Sequence, residues 1–251
     1  MQAIILAAGY ATRLMEVTRG RPKALLPIAG KPIITRLLEE ICTMPVSKVH
    51  VVTNHRYVEA FHAWQASLSP DMSTMVNILD DNTTDNDNRL GAIGDIQFTL
   101  QQTGIQDDIF IAAADNLFSF PLRDFYDAYA QNPRNLIAAT EIADMKLLQR
   151  MAVATLEPTL QGDKVIHMIE KPLEPQSQTG VFALYIYPAS TLPFIQQYLD
   201  EGNSSDAPGY FPSWLYQRQD VYAYRFTGRC FDIGTPDSYR EAEEWWKAHR
   251  M

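Results

Sequence analysis

At 251 residues, 46% of them apolar, the chain suits one large α/β domain, or a domain with a small appendage, built on a single buried core. Its formal net charge of −9 argues against general binding to nucleic acids or anionic membranes, which need basic surface for counterion release or headgroup attraction. Two cysteines, Cys42 and Cys230, have no metal-ligand spacing and read as buried thiols rather than a disulfide. The opening MQAIILAAG has no basic region and too short an apolar stretch for a signal peptide, and nowhere do eighteen apolar residues run together, so the expected compartment is the cytoplasm.

In chain order, Ala3 to Ala8 reads as a buried strand, and Pro32 to Cys42 as a helix with proline in its first turn and Leu37, Leu38 and Ile41 on one side. Lys48 to Thr53 is the next strand. Arg56 to Leu68 follows as a helix whose Val58, Phe61, Trp64 and Leu68 recur at near-helical spacing, read as core packing. Val76 to Leu79 is a third strand, then come a polar loop, a helix from Ala92 to about Thr103, and a fourth, central strand from Asp108 to Ala114. Alternation with short connections implies parallel strands, and such sheets bind ligands beyond the carboxyl ends of their strands, where Gly9, Asp80 and Asp115 fall. The second half changes character. Met151 to Leu156, Val165 to Ile169, Gly180 to Ile186 and Val221 to Phe226 look like strands in mixed or antiparallel pairing, with Gly162-Asp163 as the turn between the first two. Helices are expected near Pro188 to Leu199, Phe211 to Gln217 and Pro236 to Ala248.

The segment from Leu6 to Pro27 constrains function most tightly. Between Tyr10 and Lys31, Arg13, Arg19, Arg21, Lys23 and Lys31 face a single acid, Glu16, so a stretch of net charge +4 lies inside an acidic protein. A glycine turn closing an apolar strand lets successive N–H groups point at phosphate oxygens. Arg13, as a planar fork, and Lys23, as a mobile point charge, can reach a polyphosphate from two sides. Neither a Walker-type loop nor a G-x-G-x-x-G turn is present, since Gly30-Lys31 is followed by Pro32 and Gly9-Tyr10-Ala11 breaks the second pattern. The acidic loop Asp80 to Ile96 does not match the register of a calcium-binding EF-hand, and the five histidines show no ligand spacing with cysteine.

The run LAAGYATRL, followed by PKALLPIAGKPI, resembles the signature of the sugar-1-phosphate nucleotidyltransferases, the NDP-sugar pyrophosphorylases, in which L-A-A-G-x-G-T-R-L precedes P-K-x-L-L-P-x-x-G-K-P. The resemblance implies a Rossmann-like three-layer αβα sandwich with a mixed, mostly parallel central sheet, of the nucleotide-diphospho-sugar transferase type. It implies one domain over 1–251, with a nucleotide-binding half at 1–120 and a sugar-phosphate-binding half at 121–251. The implied substrates are an NTP and a sugar 1-phosphate, and the implied cofactor is Mg²⁺. Arg13, Lys23 and Asp115 take catalytic roles, and Asp115 with Asp232 of CysPheAspIleGlyThrPro holds the metal. Leu6, Ala8, Gly9, Leu90, Gly91 and Asn116 are implied to contact substrate, the Leu90-Gly91-Ala92 turn facing the base with a lean to pyrimidines. In Glu170-Lys171-Pro172 the lysine takes the phosphate of the sugar phosphate and the glutamate its hydroxyls, with Gly180 lining the sugar pocket. The chain departs from the family pattern at Ala11, Glu16 and Ala114.

Two other functions remain open on the sequence. One is a cytidylyltransferase acting on phosphocholine or a related phosphomonoester, for which Tyr185, Tyr187 and Trp214 are the aromatics that sequence does not place. The other is a non-catalytic regulatory subunit of the same fold. Homo-oligomerisation is compatible with either, and no oligomer surface is marked.

Overall fold

The computed structural model describes residues 1–10, 14–18 and 20–249. In chain order the elements are β1 (Gln2–Leu6), α1 (Met15–Thr18), β2 (Pro27–Ile28), β3 (Lys31–Pro32), α2 (Ile33–Ile41), β4 (Val49–Thr53), α3 (Val58–Ala66), α4 (Pro70–Met75) and β5 (Val76–Asp80). There follow α5 (Ala92–Thr103), β6 (Ile109–Ala113), β7 (Asn116–Phe118), α6 (Leu122–Gln131), β8 (Asn135–Glu141), α7 (Met145–Leu148), β9 (Ala152–Thr159) and β10 (Gly162–Glu170). The chain closes with β11 (Thr179–Tyr187), α8 (Leu192–Asp200), α9 (Tyr210–Leu215), β12 (Val221–Arg225), β13 (Cys230–Asp232) and α10 (Pro236–Ala248). No helix among the described residues is long and apolar enough to cross a membrane.

The chain forms two compact units that interleave in sequence. The first comprises residues 2–89, 112–123 and 228–251; the second comprises 90–111 and 124–227 together with Met1. In the first unit, β1 pairs with β4 and β4 with β5, both in parallel. Ala3, Ile4 and Ile5 of β1 are fully buried, as are Val49, Val51 and Val52 of β4, which is the mark of strands covered on both faces. In α2 the buried residues Ile33, Ile34, Leu37, Leu38 and Ile41 fall three and four apart after Pro32, so one apolar stripe docks while Glu39 and Glu40 stay outside it. Helix α10 starts with Thr235 in a reciprocal capping box with Ser238 and with Pro236 at its first position. Leu14, Leu26, Ile28, Ile33, Leu117, Phe231, Ile233 and Ala242 form one buried cluster, which Trp245 and Trp246 extend. That cluster fastens β7, β13 and the Lys23 turn to a common base.

The second unit is largely antiparallel. β8 pairs with β11 antiparallel and with β12 in parallel, β10 pairs antiparallel with β9 and β12, and β9 also pairs with β11. The sheet structure is therefore mixed. The turn expected at Gly162-Asp163 lies instead at Leu160-Gln161, and Gly162, with φ near 124°, is already the first residue of β10. That φ is one that residues with a Cβ rarely adopt, and the Arg134 guanidinium lies 3.0 Å from its Cβ position, so the glycine answers the backbone conformation at the start of the strand rather than the bend itself. Helices α4 and α6 and strand β8 are the longest of the elements that lie in stretches with no sequence-based assignment above.

Candidate functional site

In the first unit, the turn after β1 is pinned from below. The Asn54 side-chain amide donates to the Ala8 carbonyl at 2.8 Å, and the Tyr10 hydroxyl lies 2.9 Å from Thr83 Oγ1. Thr83 is held in turn by Asp81, whose Oδ1 accepts from both its backbone N–H and its hydroxyl at 2.7 Å. Burial pushes the Tyr10 phenol up, as do the nearby acids Asp81 and Asp85, so it stays a neutral hydrogen-bonding group. Between these two anchors Gly9 is exposed. A Cβ built on it meets no described atom within 4 Å, and its φ is not positive, so neither its dihedral nor packing against the described residues demands a glycine there. What the glycine leaves is an uncovered stretch of backbone at the end of a strand. Leu6 is the last residue of β1, and its carbonyl accepts from Ala114 N–H at 3.0 Å. Arg13 and Ala11 lie outside the described residues.

Lys23 opens a short helical turn, Lys23–Leu25, whose neighbours Ala24 and Leu26 are buried and so fix its direction. Its Nζ pairs with Asp115 Oδ2. Asp115 sits in the two-residue turn between β6 and β7, and β7 pairs antiparallel with β13 so that Asn116 faces Asp232. Ile233 N–H donates to the Asp115 carbonyl at 3.0 Å, which makes the backbones at Asp115 and Asp232 neighbours. Cys230, on the same strand as Asp232, has its thiol pushed well up by burial first and then by the negative charges of Asp232 and Asp115. Among the described residues no group of three or more His, Cys, Asp or Glu side chains gathers as a metal cage. Two carboxylates on neighbouring backbones are a donor set that suits a hard cation whose remaining ligands are substrate phosphates and water, which is how Mg²⁺ is commonly held.

The second unit carries Glu170 and Lys171. In an extended strand their side chains would point to opposite faces. Lys171, however, has φ of 51°, a left-handed conformation that is disfavoured for a residue with a Cβ and doubly so before a proline. Its N–H donates to the Met151 carbonyl at 3.1 Å, and the kink leaves Lys171 Nζ 3.8 Å from Glu170 Oε1. Strain of this kind is characteristic of functional positions. The Glu170 side chain is 5% exposed against 43% for Lys171, so the carboxyl is inside and the ammonium outside. Burial pushes Glu170 up to about 7, against the lowering influence of Lys171 and with a small further push from Asp206. The sequence reading missed Gly209: a Cβ there would run into the Glu170 carboxylate and lie 2.9 Å from Ala152 Cβ. The dipeptide Pro208-Gly209 was its only sequence trace. Gly180, on β11, is crowded by Ile142 Cγ1 at 2.8 Å and Met151 Sδ at 3.0 Å from its Cβ position, which gives it a packing role.

Gly91 in the same unit is left-handed, with φ of 79°, and immediately precedes α5. Of the flanking backbone groups expected to face a base, Ala92 N–H is used within the protein, donating to the Asp206 carbonyl at 3.1 Å, while the Leu90 carbonyl accepts from Ser205 Oγ at 2.6 Å and keeps a second lone pair for a ligand. Tyr185 and Tyr187 stack on each other and Trp214 packs on Phe211, with all three side chains buried in the core of this unit. They form no open cage for a quaternary ammonium.

Residues 2–248 match the nucleotidyl transferase family, and the chain belongs to it. It is 25% identical over 243 residues to a candidate mannose-1-phosphate guanyltransferase of Sulfolobus acidocaldarius, covering 95% of this chain and 61% of that protein. It is 24% identical over 246 residues to the UTP–glucose-1-phosphate uridylyltransferase AglF of Haloferax volcanii, covering 97% of this chain and 96% of the other. The chain thus spans about three fifths of the length of the first relative and nearly all of the second. In fold it is similar to a UDP-glucose pyrophosphorylase solved with UDP-glucose, with a TM-score of 0.85, 20% identity and 99% of each chain covered.

Proposed function

We propose that this protein is a sugar-1-phosphate nucleotidyltransferase that condenses an NTP with a sugar 1-phosphate to give an NDP-sugar and pyrophosphate. The observation that carries the reading is the grouping, in one unit, of the Lys23 ammonium on Asp115 with Asp232 on the adjoining strand. The family and the names of its relatives agree with it.

On this reading the triphosphate lies against the uncovered backbone at Gly9, and Lys23 neutralises charge that builds up as the α-phosphorus is attacked. Arg13 is assigned the same task from the resemblance alone. Lys171 draws the sugar phosphate, and Glu170 takes a sugar hydroxyl. An oxygen of the sugar phosphate forms the new bond to the α-phosphorus, the bridging bond to the β-phosphorus breaks, and pyrophosphate leaves with that electron pair. The attacking phosphate is already ionised, so no general base is needed. Asp115 and Asp232 would hold Mg²⁺, which when bound supplies charge neutralisation on the phosphate oxygens. The relatives carry guanylyl and uridylyl names at similar identity, so the base is assigned by assay.

The test is pyrophosphate release across ATP, CTP, GTP, UTP and dTTP, each with glucose 1-phosphate, mannose 1-phosphate and phosphocholine, in Mg²⁺ and in EDTA. The reading expects release from at least one NTP and sugar 1-phosphate pair, abolished by EDTA. Binding of NTP without release from any pair would instead establish a regulatory subunit, and release with phosphocholine alone a cytidylyltransferase.

A further inference from the structure

Ser205 to Gly209 is a five-residue segment that touches both of the substrate positions assigned to the second unit. At its first end, the Ser205 carbonyl accepts from Ile93 N–H at 2.9 Å and the Asp206 carbonyl from Ala92 N–H at 3.1 Å, so the segment satisfies the first two amides of α5, which have no partner within the helix. Ser205 Oγ also donates to the Leu90 carbonyl at 2.6 Å. The fit is tight, because a Cβ on Gly91 would lie 2.5 Å from the Ser205 carbonyl oxygen. At its other end, Gly209 lies so close to the Glu170 carboxylate that a Cβ on it would collide with Oε2, and its carbonyl accepts from Ser213 N–H at 3.2 Å and Ser213 Oγ at 2.7 Å. Between the ends Pro208 fixes one backbone dihedral, and Tyr210 N–H closes a turn onto the Ala207 carbonyl at 3.2 Å. A stretch this short, hydrogen-bonded to the start of α5 at one end, packed against the Glu170 carboxylate at the other and stiffened in the middle, has little slack.

We propose that Ser205–Gly209 is a strut that sets the Leu90–Gly91 turn and the Glu170 carboxyl relative to each other, with Ser205 and Gly209 as positioning residues. The inference rests on the reading of Leu90–Gly91 as a base contact and Glu170 as a sugar contact. Its consequence is that damage at either end is felt by both substrates.

The experiment uses the full chain and the fastest pair of the panel above. Gly209→Ala is expected to raise KM for both the sugar 1-phosphate and the NTP by about 3–10-fold, the effect of weakening a hydrogen bond or two, while kcat changes less. Amide exchange at Ala92 and Ile93 should quicken by a similar factor or more. Where Gly209→Ala does not fold, Ser205→Ala makes the same test from the other end, with faster Ala92 and Ile93 exchange and a raised KM for the sugar 1-phosphate as the expected result. Unchanged exchange at Ala92 and Ile93 overturns the strut, and so does a KM change confined to the nearer substrate. Glu170→Gln with unaltered KM for both substrates, alongside faster exchange in Gly209→Ala, overturns the assignment of the substrate positions and supports the strut as a structural device.

Discussion

Lys23 and Asp115, 92 positions apart in sequence, form an ion pair whose side chains are 19% and 25% exposed. For a part-buried pair the cost of taking two charges out of water offsets most of their attraction, so the pair adds little to stability and its placement is better explained by ligand chemistry than by folding. We expect Lys23→Ala to keep its fold and melt within a few degrees of the wild type, while kcat falls by about 10²-fold or more, as when one electrostatic donor to a transition state is removed. Thermal melts run beside steady-state kinetics check this. A Lys23→Ala protein with wild-type kcat would remove Lys23 from the mechanism.

Gly9 offers a test of opposite sign for stability and function. With no described atom within 4 Å of its Cβ position and no positive φ, Gly9→Ala should leave stability unchanged or raise it by about 0.4–1 kcal/mol through the unfolded chain. The added methyl nevertheless stands where the phosphates are proposed to lie, and KM for the NTP should rise by about 10-fold. A variant that is as stable as the wild type and binds NTP equally well would show that the uncovered backbone is not a phosphate site.

Much of the fold was legible because local signals agreed with tertiary demand. Helix α5 runs from Ala92 to Thr103 as its pattern and the glycines on either side of it indicate, and α10 begins at Pro236 behind a threonine cap. Strand β8 was not legible: Leu136, Ile137, Ala138 and Ala139 are all buried, so the alternation that marks a half-buried strand is missing. The hairpin turn was misplaced because Leu160, fully exposed at the bend, reads as a strand residue, whereas Gly162 reads as a bend. At the site, Asp115 could be placed at a strand end from its own neighbourhood. Gly209 and Ser205 could not, since what they touch, Glu170 and Leu90, lies far away in sequence and leaves no periodic trace.

Asp232 separates the metal role from a purely structural one. If Asp115 and Asp232 share Mg²⁺, Asp232→Asn should raise the Mg²⁺ concentration for half-maximal activity by about 10-fold or more, with saturating Mg²⁺ recovering part of kcat. Titration of activity with Mg²⁺ in both proteins decides it. An unchanged Mg²⁺ dependence places the cation elsewhere.

Glu170 makes stability depend on pH with a defined sign. Burial raises its native value from 4.5 to about 7, so the native state holds a proton that the unfolded state releases at lower pH. Stability from this group is therefore present in full below about pH 4.5 and is lost as pH rises through about 7, by on the order of 3 kcal/mol. Glu170→Gln, which mimics the protonated acid, should flatten that part of the profile and be more stable than the wild type at pH 8. Denaturant unfolding from pH 4.5 to 8.5 measures both curves, and parallel curves would mean that the carboxyl is not held neutral.

Lys171 combines an unfavourable backbone with an outward charge, and two substitutions separate the two. Lys171→Gly removes the penalty that a Cβ incurs at φ of 51° ahead of Pro172 and should stabilise the protein by about 1 kcal/mol. Lys171→Ala keeps the penalty and should be no more stable than the wild type. Both lose the ammonium, so both should raise KM for the sugar 1-phosphate by about 10-fold or more while leaving KM for the NTP near its original value. Stability that rises in the glycine variant, together with weakened sugar-phosphate binding in both, would mean that the strained backbone is maintained for the charge it presents. If the glycine variant is instead less stable, the left-handed turn is favoured by its surroundings and the link from strain to function fails at this residue.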